Sequence, residues 1–406
     1  MSEPPLETEP DSTPEAQPGF VERYALLQRG GGVATALITA LLAFLIGGLV
    51  VLATGHNPLS AYRQIFDGTG LNWLFPWVTG TERTFAALNL QQTLIRATPL
   101  MLTGLAVAFA FRCGMFNIGG QGQYTAGTIT AVWVGSSWAG LAGPVHIVLA
   151  IVLASLAGAV FAGIAGLLKA TVGAHEVIST IMLNWIAYYA GSYLFGLGGP
   201  LQGSQADVPI SNDIAVNAHL KVFWGDPILQ GLHIGFFIAI GALVAYWVVL
   251  NRTTLGYEVR AVGFNAEAAR YGGINVARNY VTAMAISGLF AGLAGAVDIL
   301  GWEFRLGQLD VQASNIGFTG IAVALLGRNT AVGVFFSALL FGGLINGTSG
   351  RHLSADVFPP QLAGNLTLII QGLIVLFIGA DVLVLYVWQR AKRLRARRVE
   401  SAAVRT

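Results

Sequence analysis

The chain has 406 residues, of which 54% are hydrophobic and only 10% charged, with 52 glycines and a formal net charge of +2. A soluble domain carries roughly 25% charged residues, and a transmembrane barrel is written in alternating segments of about ten residues. Neither pattern is present, so the composition specifies an all-α polytopic membrane protein; its scattered basic residues form no patch for a nucleic acid polymer.

Residues 1–28 begin with a stretch rich in Glu, Pro, Ser and Thr and read as a disordered cytoplasmic tail. The membrane domain is expected over 29–389 and a basic cytoplasmic tail over 390–406. A secretory signal starts with positive charge before a short apolar core, whereas here an acidic segment precedes an uncharged stretch, 33–54, long enough to cross a bilayer at about 20 residues. That span is expected to stay uncleaved. Arg23 and Arg29 ahead of it place the amino terminus in the cytoplasm. Residues 55–92 mix Pro58, Asp67, Pro76 and Glu82 with Trp and Phe, as in an external loop with an interfacial helix. A second span is expected over 92–112.

The stretch Phe111-Arg112-Cys113-Gly114-Met115-Phe116-Asn117-Ile118-Gly119-Gly120-Gln121-Gly122-Gln123 interrupts this apolar run. Four of the nine residues 114–122 are glycines, each weakening a helix by roughly 1 kcal/mol relative to Ala. In hydrocarbon every freed backbone group needs a partner, so such a break belongs beside protein or water. Asn117, Gln121 and Gln123, with Asn184 in a later span, offer neutral donors and acceptors. Two readings stand: the amides line a pathway for a polar, uncharged solute, or they hydrogen-bond neighbouring helices.

Further spans are expected over 124–141, 144–169, 177–197, 227–250, 279–300, 312–327 (short and glycine-broken), 331–347 and 362–388. That makes about ten spans, or eight if two are re-entrant. Paired glycine-interrupted segments, 116–130 and 316–328, hint at an internal repeat of the kind that marks a transport pathway. Between spans, residues 252–278 carry Arg252, Arg260, Arg270 and Arg278 against Glu258 and Glu267, and the carboxyl tail carries Arg390, Lys392, Arg393, Arg395, Arg397 and Arg398. Both segments therefore belong in the cytoplasm, and both termini with them. Within the loop, Asn265 caps a short helix running to Tyr271, with Glu267 in its first turn, Arg270 in its last, and Gly272 and Gly273 to stop it. Such a helix suits the groove of a soluble partner, or rests as an amphipathic connector on lipid.

Cys113 is the only cysteine, which excludes an internal disulfide and a cysteine metal centre. No histidine sits at the spacing of a metal pair, and none of the three lysines, Lys169, Lys221 and Lys392, follows a glycine, which rules out a P-loop. Glu176, Asp298, Glu303, Asp310 and Asp381 all lie near expected span boundaries, where burying charge costs least. An ion-coupled carrier would place an acid at the midplane.

At the break the sequence resembles a known family. Phe116-Asn117-Ile118-Gly119-Gly120-Gln121-Gly122-Gln123 is similar to the Phe-Asn-Ile-Gly-x-Glu-Gly-Gln signature of permease subunits of ABC importers for nucleosides and simple sugars. Gly263-x-Asn265-x-x-Ala268-Ala269-Arg270-Tyr271-x-Gly273-Ile274 resembles the coupling-helix segment of that family, and Ile181-Met182-Leu183-Asn184 and the block 317–327 resemble two more shared stretches. The likeness covers roughly 90–380 and is strongest to the nucleoside, basic-membrane-protein-dependent branch; Gln121 stands where Glu is usual. It implies a type II ABC importer-like fold in a bacterial cytoplasmic membrane. It also implies alternating access with a second permease subunit, two ATP-binding subunits that hold ATP and Mg, and an extracellular substrate-binding protein. Asn117, Gln121, Gln123 and Asn184 are then expected on the substrate pathway, and Gly263, Asn265, Ala268, Ala269, Arg270, Tyr271, Gly273 and Ile274 at the ATPase contact, with no catalytic residue and no metal. The rivals are an ion-coupled carrier acting without an ATPase and a membrane-embedded enzyme, for which no cluster of acids, histidines or metal ligands stands out.

Overall fold

A computed structural model describes residues 33–349 and 360–379. The expectations for the tails, 1–28 and 390–406, and for the end of the last span lie outside these residues. Nearly everything described is helical: α1 (Val33–Ala53), α2 (Pro58–Thr69), α3 (Gly80–Arg112), α4 (Gly120–Ser137), α5 (Gly143–Val172), α6 (Glu176–Phe195), α7 (Gly235–Arg252), α8 (Thr254–Phe264), α9 (Ala266–Tyr271), α10 (Val276–Asp298), α11 (Gln308–Ala313), α12 (Ile316–Leu326), α13 (Ala331–Gly347) and α14 (Pro360–Gly379). By length and composition five segments can cross a membrane: Gly80–Arg112, Gly143–Val172, Gly235–Arg252, Val276–Glu303 and Gln308–Leu326. Among the described residues, further apolar stretches at Leu37–Ala53, Ala331–Gly347 and Gly364–Phe377 lie on α1, α13 and α14.

Two helices form the centre. Every residue from 97 to 110 in α3 is buried, as is every residue from 290 to 298 in α10, so these stretches are enclosed by protein on all sides. The helix α5 packs on α10 through small residues. A side chain on Gly158 would come within 2.3 Å of the Gly288 carbonyl oxygen, and one on Gly288 within 2.1 Å of that of Gly158. Where lipid is as apolar as leucine, this close backbone approach is what holds helices together. The outer face of α5 exposes Val148, Val152, Leu156 and Val160, as a lipid-facing surface does.

Several boundaries differ from the sequence reading. The second span begins at Gly80, not near 92, because Glu82 and Arg83 are carried on a helical extension of α3; its 33 residues measure about 50 Å, more than the roughly 30 Å of hydrocarbon. The helix α7 starts at Gly235 and not at 227. Asp226 Oδ1 accepts the Ile228 N–H at 2.8 Å in a turn, and β1 (Val222–Trp224) pairs antiparallel with β2 (Leu232–His233). The break expected from glycine between 312 and 327 falls instead at Ser314 and Asn315; Gly317 and Gly320 lie inside α12, where they admit neighbouring helices. Finally, α10 continues into a π-helical turn, Ile299–Glu303, that ends on Phe304 in the left-handed region, φ 58°.

Candidate functional site

The broken segments meet. The helix α4 starts in the protein interior, and Gly317, the second residue of α12, is buried against it; the first N–H groups of a helix have no partner in their own turn. The amides singled out by sequence satisfy several backbone donors there. Asn117 Oδ1 accepts from Gly119 N–H at 2.9 Å, Asn184 Oδ1 from Gly122 N–H at 2.8 Å, and Gln121 Oε1 from Gly317 N–H at 2.8 Å. The last contact ties the two glycine-rich segments to each other; a side chain on Gly317 would lie 2.2 Å from the Gln121 backbone nitrogen.

Asn117 is fully buried, and its amide is shared among protein groups. It donates to Gln123 Oε1 at 2.8 Å and to Ser287 Oγ at 2.7 Å, and it accepts from Gln123 Nε2 at 2.9 Å. Ser287 in turn donates to the Ala106 carbonyl at 2.5 Å. Asn117 and Gln123 thus lock α4 to α3 and α10. Asn184, half-buried, also donates to the Ile118 carbonyl at 3.0 Å. Gln121 differs: its Nε2 is buried and, among the described residues, has no hydrogen-bond acceptor. Of the two readings of these amides, the geometry gives Asn117, Gln123 and Asn184 helix-bridging contacts and leaves Gln121 with a donor to offer.

Beside the carboxyl end of α3 lies the 252–278 loop. Asn265 terminates α8 and caps α9, accepting the Ala268 N–H at 3.0 Å on Oδ1, as its type and place predict. The Gly272 and Ile274 N–H groups bond back to the Ala268 and Ala269 carbonyls, and Gly273 takes φ 85°. Ala269 faces inward at 6% exposure, while Ala268 and Arg270 face outward; Phe264 and Tyr271 are 95% and 98% exposed. Behind α9 a recess of about 410 Å³ is lined by Tyr257, Glu258, Gly272, Gly273, Ile274 and Arg278, among others.

This loop touches the break directly. A side chain on Gly263 would lie 2.2 Å from the Arg112 carbonyl oxygen, and one on Gly114 3.2 Å from Gly263 Cα. Gly114 itself has φ 73°, which favours glycine there. Asn279 at the start of α10 donates to Glu258 Oε2 at 3.0 Å, so α8 is held to both central helices. Arg112 donates to the Asn329 carbonyl at 3.0 and 2.7 Å, and Tyr246 to the same oxygen at 2.8 Å. Contacts thus run from the α8–α9 junction to the break through Gly263 and Gly114, the latter three residues from Asn117.

One acid is more deeply buried than its place in the sequence suggests. Asp298 ends α10, near a boundary as expected, yet it is 5% exposed and accepts a hydrogen bond from Tyr124 on α4. Standing at a helix end and not at mid-span, it does not supply the midplane acid of an ion-coupled carrier. The sequence reading passes over Tyr124 and also Arg96 on α3, although a lone arginine inside an apolar helix is itself a signal, since a charge there is rarely without purpose.

Residues 89–379 match the family described as "Branched-chain amino acid transport system / permease component". The chain is 37% identical over 363 residues to the guanosine ABC transporter permease protein NupP of Bacillus subtilis, an alignment covering 88% of this chain and 96% of that one. It is 33% identical to the nucleoside ABC transporter permease protein NupB of Lactococcus lactis, with 89% and 94% covered, and 34% identical to the glucose ABC transporter permease protein TsgB13 of Haloferax volcanii, with 85% and 86% covered. No solved structure matches the chain. With its apolar helices, its buried helix breaks and this match along most of its length, the chain belongs to the branched-chain amino acid transport system permease family and is a multi-pass membrane subunit of an ABC importer, a component that works with ATPase and substrate-binding partners.

Proposed function

We propose that this chain moves a nucleoside across the bacterial cytoplasmic membrane by alternating access. It does so beside a second permease subunit, driven by two ATP-binding subunits and loaded by an extracellular substrate-binding protein. ATP and Mg are held by the partners; this chain contributes no catalytic residue. The observation that carries the substrate class is the likeness to guanosine and nucleoside permeases over nearly the whole of each chain. A simple sugar is the second reading, favoured by the comparable likeness to a glucose permease.

In this reading α9 is the lever. Gly263, Asn265, Ala268, Ala269, Arg270, Tyr271, Gly273 and Ile274 form or frame the ATPase contact, on the cytoplasmic side together with both termini. The exposure of Phe264 and Tyr271 supports it, because aromatic side chains of a six-residue helix and its flank, fully open to water, are what an interface anchor looks like before its partner arrives. The lever bears on Arg112 and Gly114, and through them on the buried amides Asn117, Gln121, Gln123 and Asn184. Asn117, Gln123 and Asn184 transmit the movement by bridging helices, and Gln121, with its free donor, is the amide that meets solute on the pathway.

The test is uptake of guanosine into proteoliposomes holding the complete importer, with ribose and glucose as alternatives. Arg270→Glu together with Gly273→Trp is expected to abolish co-purification of the ATP-binding subunits and uptake with it. Stoichiometric ATPase binding by this double variant refutes the docking role, and ATP-independent uptake driven by an ion gradient refutes the importer reading.

A further inference from the structure

At the end of the bundle away from α9, which the proposed orientation makes the outer side, a cavity of about 320 Å³ opens between α3, the π-helical turn, and the α11–α12 junction. Its size is at the lower end of the roughly 300–1,000 Å³ typical of small-molecule sites. Arg96, Asp298, Trp302, Glu303, Asn315 and Thr319 line it, on a background of Ile95, Pro99 and Leu100. Charges of both signs in an apolar helix bundle are expensive and are kept where they handle something. Glu303 and Asn315 are exposed at the mouth, whereas Asp298 lies at the floor, held by the Tyr124 hydroxyl and acted on by the Arg96 charge. Among the described residues no hydrogen bond or salt bridge occupies the Glu303 carboxylate.

The wall carrying Trp302 and Glu303 is built to hold its shape. The segment 209–220 runs along it as a strap: Ser211 N–H donates to the Leu306 carbonyl at 2.9 Å, Ile214 N–H to that of Phe304 at 2.8 Å and Leu220 N–H to that of Leu300 at 2.7 Å. His219 stacks on Phe304 with ring centroids 4.1 Å apart. Strap and turn together fix the residues between them from both flanks, as a recognition site requires of its supporting residues.

We infer that this cavity is a solute-recognition station on the translocation route, where Glu303 accepts hydrogen bonds from adjacent hydroxyls of the solute and Trp302 lies against its flat ring. The two carboxylates gathered here suit a neutral donor-rich solute, and an indole beside them suits one that also carries a planar base. A hydroxylated ring joined to a heteroaromatic base satisfies both, which a sugar alone does not. The floor pair of Asp298 and Tyr124 positions the site, with Arg96 offsetting the negative charge that a neutral solute meets. The inference rests on the permease reading and adds to it where, within this chain, selectivity beyond that of the receptor resides.

The test uses the whole importer in proteoliposomes, with the receptor preloaded with guanosine and in excess, so that transfer and not capture is timed. Glu303→Gln is expected to slow transfer about tenfold, the effect of losing one hydrogen bond to a charged group; Glu303→Asp, which keeps the charge, recovers part of it. Trp302→Ala is expected to slow guanosine transfer about tenfold, the scale of base stacking measured by alanine substitution, and Trp302→Phe retains most of the rate. Wild-type rates in Glu303→Gln and Trp302→Ala overturn the station. So does an equal loss in both members of each pair, which marks a bracing role only. A wild-type importer that carries ribose but not guanosine refutes the nucleoside reading instead. The Glu303 pair is then timed on ribose, where a wild-type rate in Glu303→Gln, or an equal loss in Glu303→Gln and Glu303→Asp, again overturns the station.

Discussion

Replacing Asn117 with leucine separates a helix clasp from a solute contact. The substitution keeps the number and branching of the side-chain heavy atoms and removes four hydrogen bonds, two donated to Gln123 and Ser287 and two accepted from Gly119 and Gln123. It strands the Gly119 N–H and both ends of the Gln123 amide in a site with no exposure. Side-chain hydrogen bonds between membrane helices contribute about 0.6 kcal/mol on average and at most about 1.7, whereas a buried polar group left unpaired costs about 1–3 kcal/mol. Together these place the loss at about 2–4 kcal/mol. Asn184→Leu removes two bonds from a half-buried position and should cost about 1 kcal/mol. The assay is thermal unfolding of the purified importer in detergent, with uptake measured well below the transition. Asn117→Leu is expected to melt distinctly lower than Asn184→Leu and to lose uptake per folded complex as well, since the bridge that carries the movement is gone. Wild-type melting with abolished uptake would refute the clasp and put the amide on the solute's route; wild-type behaviour in both would show that the hydrogen bonds contribute nothing.

Gly263→Val places methyl groups against the Arg112 carbonyl, 2.2 Å from where the first carbon would sit, so the loop must move off the break. ATPase subunits should still co-purify while uptake per ATP hydrolysed falls at least tenfold, and an unchanged ratio refutes transmission through this contact. Phe264→Ala with Tyr271→Ala should weaken ATPase association by about 2–4 kcal/mol, the scale of aromatic interface anchors, read by pull-down against subunit concentration. Burial lowers the His233 pKa to about 4, so its neutral form is favoured by folding. The stability it contributes is present above the unfolded value of about 6.5 and is lost as pH falls from there toward 4. His233→Gln should flatten the melting temperature across that window, and an unaltered pH dependence would show that His233 is not its source.

What the amino-acid order determined was local. The cap at Asn265, the charges placed along α9 and the stop at Gly272 and Gly273 act within a few residues, so they were legible and recur in the structure. The long apolar stretches announced helices, and the glycines of 114–122 announced a break, because both are statements about backbone propensity in lipid. Where the boundaries differ, at 80 and at 235, polar residues on a helical extension or a short hairpin carry no hydropathy signal.

Which amide meets which partner was decided by the tertiary structure alone. Asn117 and Ser287 are 170 residues apart, Gln121 and Gly317 196, and Tyr124 and Asp298 174. Nothing in a period of 3.6 residues encodes such distances; they follow from glycine faces, such as those of Gly158 and Gly288, that let particular helices close to backbone contact and so bring particular side chains into reach. The same packing gathers Arg96, Asp298 and Glu303 around one cavity. A carboxylate that reads along the chain as the end of a span becomes, once α10 is surrounded, a charge enclosed by protein, because burial is a property of neighbours and not of position in the sequence.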